Sequence, residues 1–253
     1  MSRIAVISDI HANLHALCSV IEDVQQMGCS QVVCLGDVVG YGAYPRECLN
    51  YIRGLNCHIV KGNHDDEVAR ESYDRMNYVA RTALKWTREQ LNDEQIEWLS
   101  RLPYQRVVLS SFTMVHASLD NLKAWNYIFN TNDARTHFSR QFMPLCFHGH
   151  THAPKTFICS PDYQVYESSV FQEELYETGS STIELEDGYK YFINVGSVGQ
   201  PRDNDKRACY VVYDTDARTV TFRRVEYDVE SACQAILDAG LPEYLAERLK
   251  KGC

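Results

Sequence analysis

Five short signatures along the chain concentrate residues that bind hard or borderline metal ions through oxygen and nitrogen: Asp9-Ile10-His11, Gly36-Asp37, Gly62-Asn63-His64-Asp65, Val115-His116 and Gly149-His150-Thr151-His152. Together they hold enough donors for two adjacent cation sites sharing one carboxylate, the apparatus that cleaves a phosphate ester with water. The residue types specify a chemistry and say much less about which ester is cut.

Taken singly, each signature has a plainer explanation. Asp9 and His11 lie two positions apart, which on extended backbone sends both side chains to one side; a helix-capping Asp beside a surface His gives the same letters. Gly36-Asp37-Val38-Val39-Gly40 places a carboxylate between glycines that permit close backbone approach, as any strand-to-helix turn does. Gly62-Asn63-His64 offers an amide oxygen and an imidazole, or simply a turn with Asn at positive φ. A lone His116 ending an apolar strand is usually structural, whereas His150-Thr151-His152 after Gly149 is the sharpest of the five. Their joint appearance at successive strand ends, supplying Asp, His, Asp, Asn, His, His and His in order, is what separates a site from coincidence.

The elements that position them can be read in part. Arg3 to Ser8 reads as a buried strand, and Leu14, Leu17, Ile21 and Val24 form one helical stripe that ends near Gly28. Gln31 to Leu35 is a second strand, Pro45 opens a helix running to about Arg53, and His58 to Val60 is a third strand. Such a β-α-β-α-β run predicts parallel strands with right-handed crossovers, placing Asp9, Asp37 and Asn63 just past the carboxyl ends where ligands bind in open sheets. Residues 66 to 102 read as mostly helical, with Asn92 and Gln95 as a capping pair and Pro103 as the stop. From Gln105 the texture turns to β, with strands at 106–109, 112–115, 145–147 and 156–159 and near Thr182, Tyr189, Cys209 and Thr219. A helical pattern at 133–142 interrupts them, and Asp187-Gly188 reads as a hairpin signal. The tail from about 229 to 250 reads as two short helices around Gly240-Leu241-Pro242 that pack on a single domain spanning 1–253.

Composition bounds the function. With 253 residues and 45% apolar content the chain can bury a sizeable core. A formal charge of -9 and a pI near 5.5 argue against a surface that neutralises extended nucleic acid. The ten cysteines form no C-x-x-C pair and sit in apolar segments, so reduced thiols are expected, which favours the cytoplasm. No export signal or stretch of membrane-spanning length is read, so no membrane partner is expected.

The order D-x-H, G-D-x-x-G, G-N-H-[DE], H and G-H-x-H resembles the calcineurin-like metallophosphoesterases, in particular the compact bacterial and archaeal phosphodiesterase and diadenosine-tetraphosphatase branch. Asn194 to Arg202 and Ala239-Gly240-Leu241-Pro242 also resemble that branch, so the likeness spans essentially the whole chain. It implies an α/β fold, a four-layer α/β/β/α sandwich. It implies one metal on Asp9, His11, Asp37 and His152, a second on Asp37, Asn63, His116 and His150, Asp37 bridging, and His64 beside both without binding either. The expected reaction is attack on a small phosphodiester or nucleotide by a hydroxide bridging two ions, with His64 as general acid to the leaving group. A mixed O/N donor set without thiolate suits Mn, Fe, Ni or Zn better than Ca or an all-oxygen Mg site, and the resemblance points to manganese. Ala117 and Val195 stand where the family has glycine and proline; neither change removes a ligand. The chain also lacks the second acidic residue and the arginine that protein-phosphatase branches place after G-D-x-x-G.

Around this set, Asn13 is either a substrate contact or the cap of the helix that follows, and Arg202 either reaches substrate phosphate or pairs with Asp203 or Asp205. Asp65 orients His64 or starts the next helix, and His148 is an outer-shell candidate. The Tyr-rich stretch 162–176, with Glu167, Glu173 and Glu174, reads as an exposed insert shaping the substrate mouth or a dimer contact. Alternatives to the phosphodiesterase are a dinucleoside-polyphosphate hydrolase, a nuclease, which the charge disfavours, and a non-catalytic metal-binding scaffold. The sequence leaves the oligomeric state open.

Overall fold

Both faces of strand β1 (Arg3–Ile7) are buried, and against different partners: Ala5 and Ile7 point into a helical layer, Ile4 and Val6 into a layer between two sheets. That alternation is the period of two expected of extended backbone, with neither face left to solvent. The structure is a computed structural model and describes residues 3–74, 76–168 and 170–253.

After β1 come α1 (Leu14–Gln26), β2 (Gln31–Cys34), α2 (Pro45–Gly54), β3 (His58–Ile59) and three helices, α3 (Asn63–Arg70), α4 (Tyr78–Gln90) and α5 (Asp93–Arg101). The three strands pair in parallel, as the β-α-β-α-β reading requires. Helix α1 buries Leu17, Val20, Ile21 and Val24 on one stripe. Helix α5 opens with the expected reciprocal cap, Asn92 Oδ1 accepting from Gln95 N at 2.9 Å and Gln95 Oε1 from Asn92 N at 3.0 Å.

The second half supplies β4 (Gln105–Val108), β5 (Phe112–Val115), α6 (Thr131–Phe138), β6 (Leu145–His148), β7 (Lys155–Cys159), β8 (Val165–Ser168), α7 (Val170–Thr178), β9 (Ser180–Glu184), β10 (Lys190–Asn194), β11 (Ala208–Asp214) and β12 (Thr219–Val225). Two six-stranded mixed sheets result, in the orders β3-β2-β1-β11-β12-β9 and β4-β5-β6-β10-β7-β8. They face each other across Val6, Leu35, Phe147, Ile193 and Phe222, with one helical layer outside the first sheet and α6 outside the second. This is the α/β/β/α sandwich. Helices α8 (Val229–Asp238) and α9 (Glu243–Lys251) pack on each other and α8 packs against α1, with Leu241 buried in the turn that joins the two.

Two expectations fail here. The Asp187-Gly188 turn is not a hairpin: β9 pairs antiparallel with β12 in the first sheet, while β10 pairs with β6 and β7 in the second. The turn instead carries the chain from one sheet to the other, with Leu185 and Tyr189 half-buried against the core between them. The stretch 162–176 is exposed as expected, at Tyr163 and Tyr176 above all, yet it is not separate from the sheets. Its β8 extends the second sheet by pairing with β7, and α7 packs on β9 and β12, so the stretch closes one edge of the sandwich; Ser169 and the side chains of Val170 and Phe171 lie outside the described residues.

All ten cysteines are free thiols, six of them buried. Among the described residues no helix is long and apolar enough to cross a membrane.

Candidate metal centre

The loops after β1 and β2 continue to pair where the strands stop. Asp9 N donates to Gly36 O at 3.0 Å, His11 N to Asp37 O at 2.9 Å and Ala12 N to Val38 O at 2.9 Å. The first two signatures therefore lie side by side, and the second sheet adds its own at the same end. Here the backbone is unusual: Asp9, His11, Asp37, His150 and His152 all have positive φ, between 46° and 68°. Non-glycine residues enter that region at a cost of order 1–3 kcal/mol each, and such outliers gather at functional sites.

Each carboxylate has one oxygen tied to backbone and one turned inward. Asp37 Oδ1 accepts His64 N at 2.8 Å, at the start of α3, while Oδ2 lies 3.4 Å from His116 Nε2 and 3.7 Å from His11 Nε2. Asp9 Oδ2 accepts His150 N at 3.0 Å. Its Oδ1 is buried without a hydrogen bond, 3.2 Å from His152 Nε2, 3.8 Å from His11 Nε2 and 3.9 Å from His116 Nε2.

The imidazoles are oriented from behind by main-chain carbonyls. His116 Nδ1 faces Leu35 O at 2.8 Å, His11 Nδ1 faces Val39 O at 3.2 Å, and His152 Nδ1 faces Gln200 O at 2.6 Å. With the ring proton on Nδ1, His11 and His152 each turn an Nε2 lone pair inward, and His116 turns its Nε2 toward Asn63 and Asp37. His11 Nε2 and His152 Nε2 then meet at 3.0 Å, and His116 Nε2 meets Asn63 Oδ1 at 3.1 Å. Two ring acceptors such as those of His11 and His152, at hydrogen-bond distance with no proton between them, repel, and a cation shared by both removes that repulsion. His116, held protonated by Asp37 and Asp9, donates Nε2–H to Asn63 Oδ1 and becomes a donor to a cation on losing that proton. His150 is oriented the other way, Nε2 donating to Trp125 O at 2.9 Å, which leaves Nδ1 for a cation; its ring centroid is 5.1 Å from that of His116.

Electrostatics agree with this donor set. Burial would raise both carboxyls, but the surrounding imidazoles outweigh it and hold Asp9 and Asp37 below the usual carboxylate range. Burial, followed by neighbouring imidazoles, presses His11 well down and His150 to about 3, while for His152 the positive charge of Arg202 adds to burial in lowering it. His116 moves the other way: burial opposes it, yet Asp37 and Asp9 lift it to about 9. Two anionic carboxylates among mostly neutral imidazoles are the state in which such residues bind metal. Among the described residues, three tight groups meet the distance requirement for a metal ion, Asp9 with His11 and His152, Asp9 with Asp37 and His116, and His11 with Asp37 and His64. Asn63 and His150 flank them through His116. All the expected ligands thus converge, with Asp37 between His11 and His116.

His64 packs its ring against His11 at 4.7 Å and Tyr41 at 4.4 Å, and burial holds its pKa down to about 4. The Arg202 guanidinium lies 5.7 Å over the Tyr41 ring and donates to Gln200 Oε1 at 2.9 Å, with its Nε buried and unpartnered. No pair with Asp203 or Asp205 forms; those carboxylates bind Arg224 and Arg207. Asn13 spends its side chain inside the fold, Oδ1 capping α1 through Ala16 N at 3.1 Å and Nδ2 donating to Gly199 O at 3.0 Å. His148 ends in a stack with Phe192, 3.8 Å between ring centroids.

Sequence reasoning set Asp65 beside His64 or at the start of a helix and missed its main role. Its carboxylate accepts from Asp37 N at 2.8 Å, Val38 N at 3.0 Å, Val39 N at 3.4 Å and Gly62 N at 3.0 Å, clamping the second and third signatures together. Its place as third residue of α3 was the available signal. Tyr41, buried against two of the imidazoles, was also missed.

The sandwich and its donor cluster define a metallophosphoesterase. Residues 2–218 match the calcineurin-like phosphoesterase superfamily domain, and the chain belongs to that family. It is 37% identical over 257 residues to the uncharacterized protein MJ0912 of Methanocaldococcus jannaschii, covering 99% of this chain and 98% of that protein. A metallophosphoesterase from Sphaerobacter thermophilus of known structure is 38% identical, with TM-score 0.83 over 100% of this chain and 99% of the other. The hypothetical protein PH1004 of Pyrococcus horikoshii shares the fold, with TM-score 0.79 at 21% identity over 100% and 99% of the two chains. Family and site together make the protein a metal-dependent phosphoester hydrolase.

Proposed function

We propose that the chain hydrolyses a small phosphodiester or nucleotide at a dinuclear centre, with Asp9, His11, Asp37 and His152 on one ion and Asp37, Asn63, His116 and His150 on the other. The observation that carries this reading is the facing of His11 Nε2 and His152 Nε2, with His116 and Asn63 meeting beside the same Asp37 oxygen. Bound divalent ions supply an acidified water and positive charge against the phosphate. Manganese is our assignment, and Fe, Ni or Zn suit the same O/N donors.

The protein side chains do the rest. Arg202, whose Nε is unpartnered and whose charge acts on His64 and His152, offers a planar fork to a phosphate oxygen. His64 donates the proton that the departing oxygen requires. Burial holds that imidazole down, and the negative charge of a bound phosphate raises it toward the protonated form. Asn13, engaged at both ends, acts by fixing α1 and the Gly199 backbone beside the site.

The test is reconstitution of metal-free protein with each divalent ion, followed by a panel of aryl phosphomonoester, aryl phosphodiester, cyclic nucleotide and dinucleoside polyphosphate. The reading expects metal-dependent turnover, with diester or nucleotide preferred. Tight metal binding without turnover on any of the panel would contradict it.

A further inference from the structure

Beside the metal donors stands an aromatic ladder that hydrolysis itself does not use. The Tyr127 ring stacks on His150 with 4.3 Å between centroids and 26° between planes, and Phe129 lies almost parallel to Tyr127 at 5.3 Å and 4°. The ladder climbs from the centre to water: His150 is 5% exposed, Tyr127 48% and Phe129 60%. Leaving two large apolar rings in solvent forgoes burial that the fold secures for most others of their kind.

The segment that carries them is held in place. His150 Nε2 donates to Trp125 O, Lys155 Nζ donates to Phe129 O at 3.1 Å, and the Asp133 carboxylate accepts from Phe129 N at 2.9 Å and Asn130 N at 3.3 Å. Exposed rings on an anchored backbone are a preorganised surface, which lowers the ordering cost of binding. The rings carry no charge, and what they offer is π-faces on which a flat ring stacks. Because the lowest rung is His150 itself, such a ring must belong to the molecule whose phosphate enters the centre.

We propose that Tyr127 and Phe129 form a base-stacking platform and that the ester cleaved here is a nucleoside phosphate. The proposal rests on the hydrolase reading above and narrows its substrate class. Stacking on an aromatic side chain tolerates any base, since every base has a π-face. The platform therefore selects a nucleoside without choosing its identity.

Three diesters with a common p-nitrophenolate leaving group test it in the manganese-loaded protein: the thymidine 5′, phenyl and methyl esters of p-nitrophenyl phosphate. The thymidine ester is expected to exceed the methyl ester in kcat/KM by about tenfold or more, mainly through KM, and Phe129→Ala to collapse that ratio. Calorimetric binding of thymidine 5′-monophosphate against methyl phosphate should show the same preference and the same loss. Should Phe129→Ala weaken all ligands alike, Phe129→Trp decides, since a flat face kept there must keep the preference. A phenyl ester equal to the thymidine ester, or a ratio that survives Phe129→Ala, overturns the platform. Absence of turnover on all three esters with the binding preference intact would count against the hydrolase reading alone.

Discussion

The carboxylate of Asp65 accepts the backbone N–H of Asp37 at 2.8 Å, and through the same two oxygens it also holds Gly62 N and Val38 N. A residue that never faces the centre thus fixes the loop that carries the shared carboxylate. Asp65→Asn replaces an acceptor oxygen with an N–H₂ group that must confront main-chain N–H donors. We expect metal affinity to fall about 10–100-fold, with a stability loss of about 1–3 kcal/mol from unpaired amides. Metal titration and thermal melts check both. Wild-type affinity in this variant would remove Asp65 from the account.

Gly62 is required for space rather than conformation, since its φ of -91° is open to any residue. A methyl there would meet the carboxylate and amide of Asp37, whereas one at Gly54 would meet nothing. Gly62→Ala should keep the helical spectrum and lose metal affinity at least about tenfold, on the scale of a disturbed ligand shell. Gly54→Ala should bind like wild type. Equal behaviour of the two variants would argue that Gly62 does not set the Asp37 position.

His64→Ala should retain its ions and lose about 10²–10⁴ in kcat on esters with poor leaving groups. On an activated aryl ester, whose leaving oxygen needs no proton, the loss should be much smaller. Comparable losses across a leaving-group series would show that His64 is not the acid.

Asp23 ties α1 to the first sheet, accepting from Arg223 at 2.7 and 3.1 Å and from the Tyr210 hydroxyl at 2.7 Å. Burial raises its carboxyl, and the Arg223 and Tyr210 bonds more than offset that, leaving it below the ordinary value of 3.8. A depressed folded pKa contributes stability that is fully present above the unfolded value and lost as pH falls through the folded one. Asp23→Asn should therefore melt lower than wild type at neutral pH, and the gap should close as pH drops below about 4. A gap independent of pH would show that the ion pair is not its source.

Much of this was legible in the letters. The β-α-β-α-β run fixed where Asp9, Asp37 and Asn63 emerge, because parallel strands with helical crossovers leave all their carboxyl ends on one side. Asp187-Gly188 misled because a turn dipeptide is a local signal, while the partner of β9 is β12, about 40 residues further along. For the same reason 162–176 looked peripheral: β8 joins the second sheet only through its pairing with β7. The carbonyls of Leu35, Val39 and Gln200 that orient the imidazoles carry no side-chain signature at all.

Asp37 stands between His11 and His116, and the claim that it bridges two ions is tested most directly by counting metal. Elemental analysis of protein reconstituted with manganese should give two ions per wild-type chain, and fewer than one in Asp37→Ala, with hydrolysis lost in parallel. A wild-type chain that is fully active with one ion, or an Asp37→Ala variant that still holds two, would contradict the account.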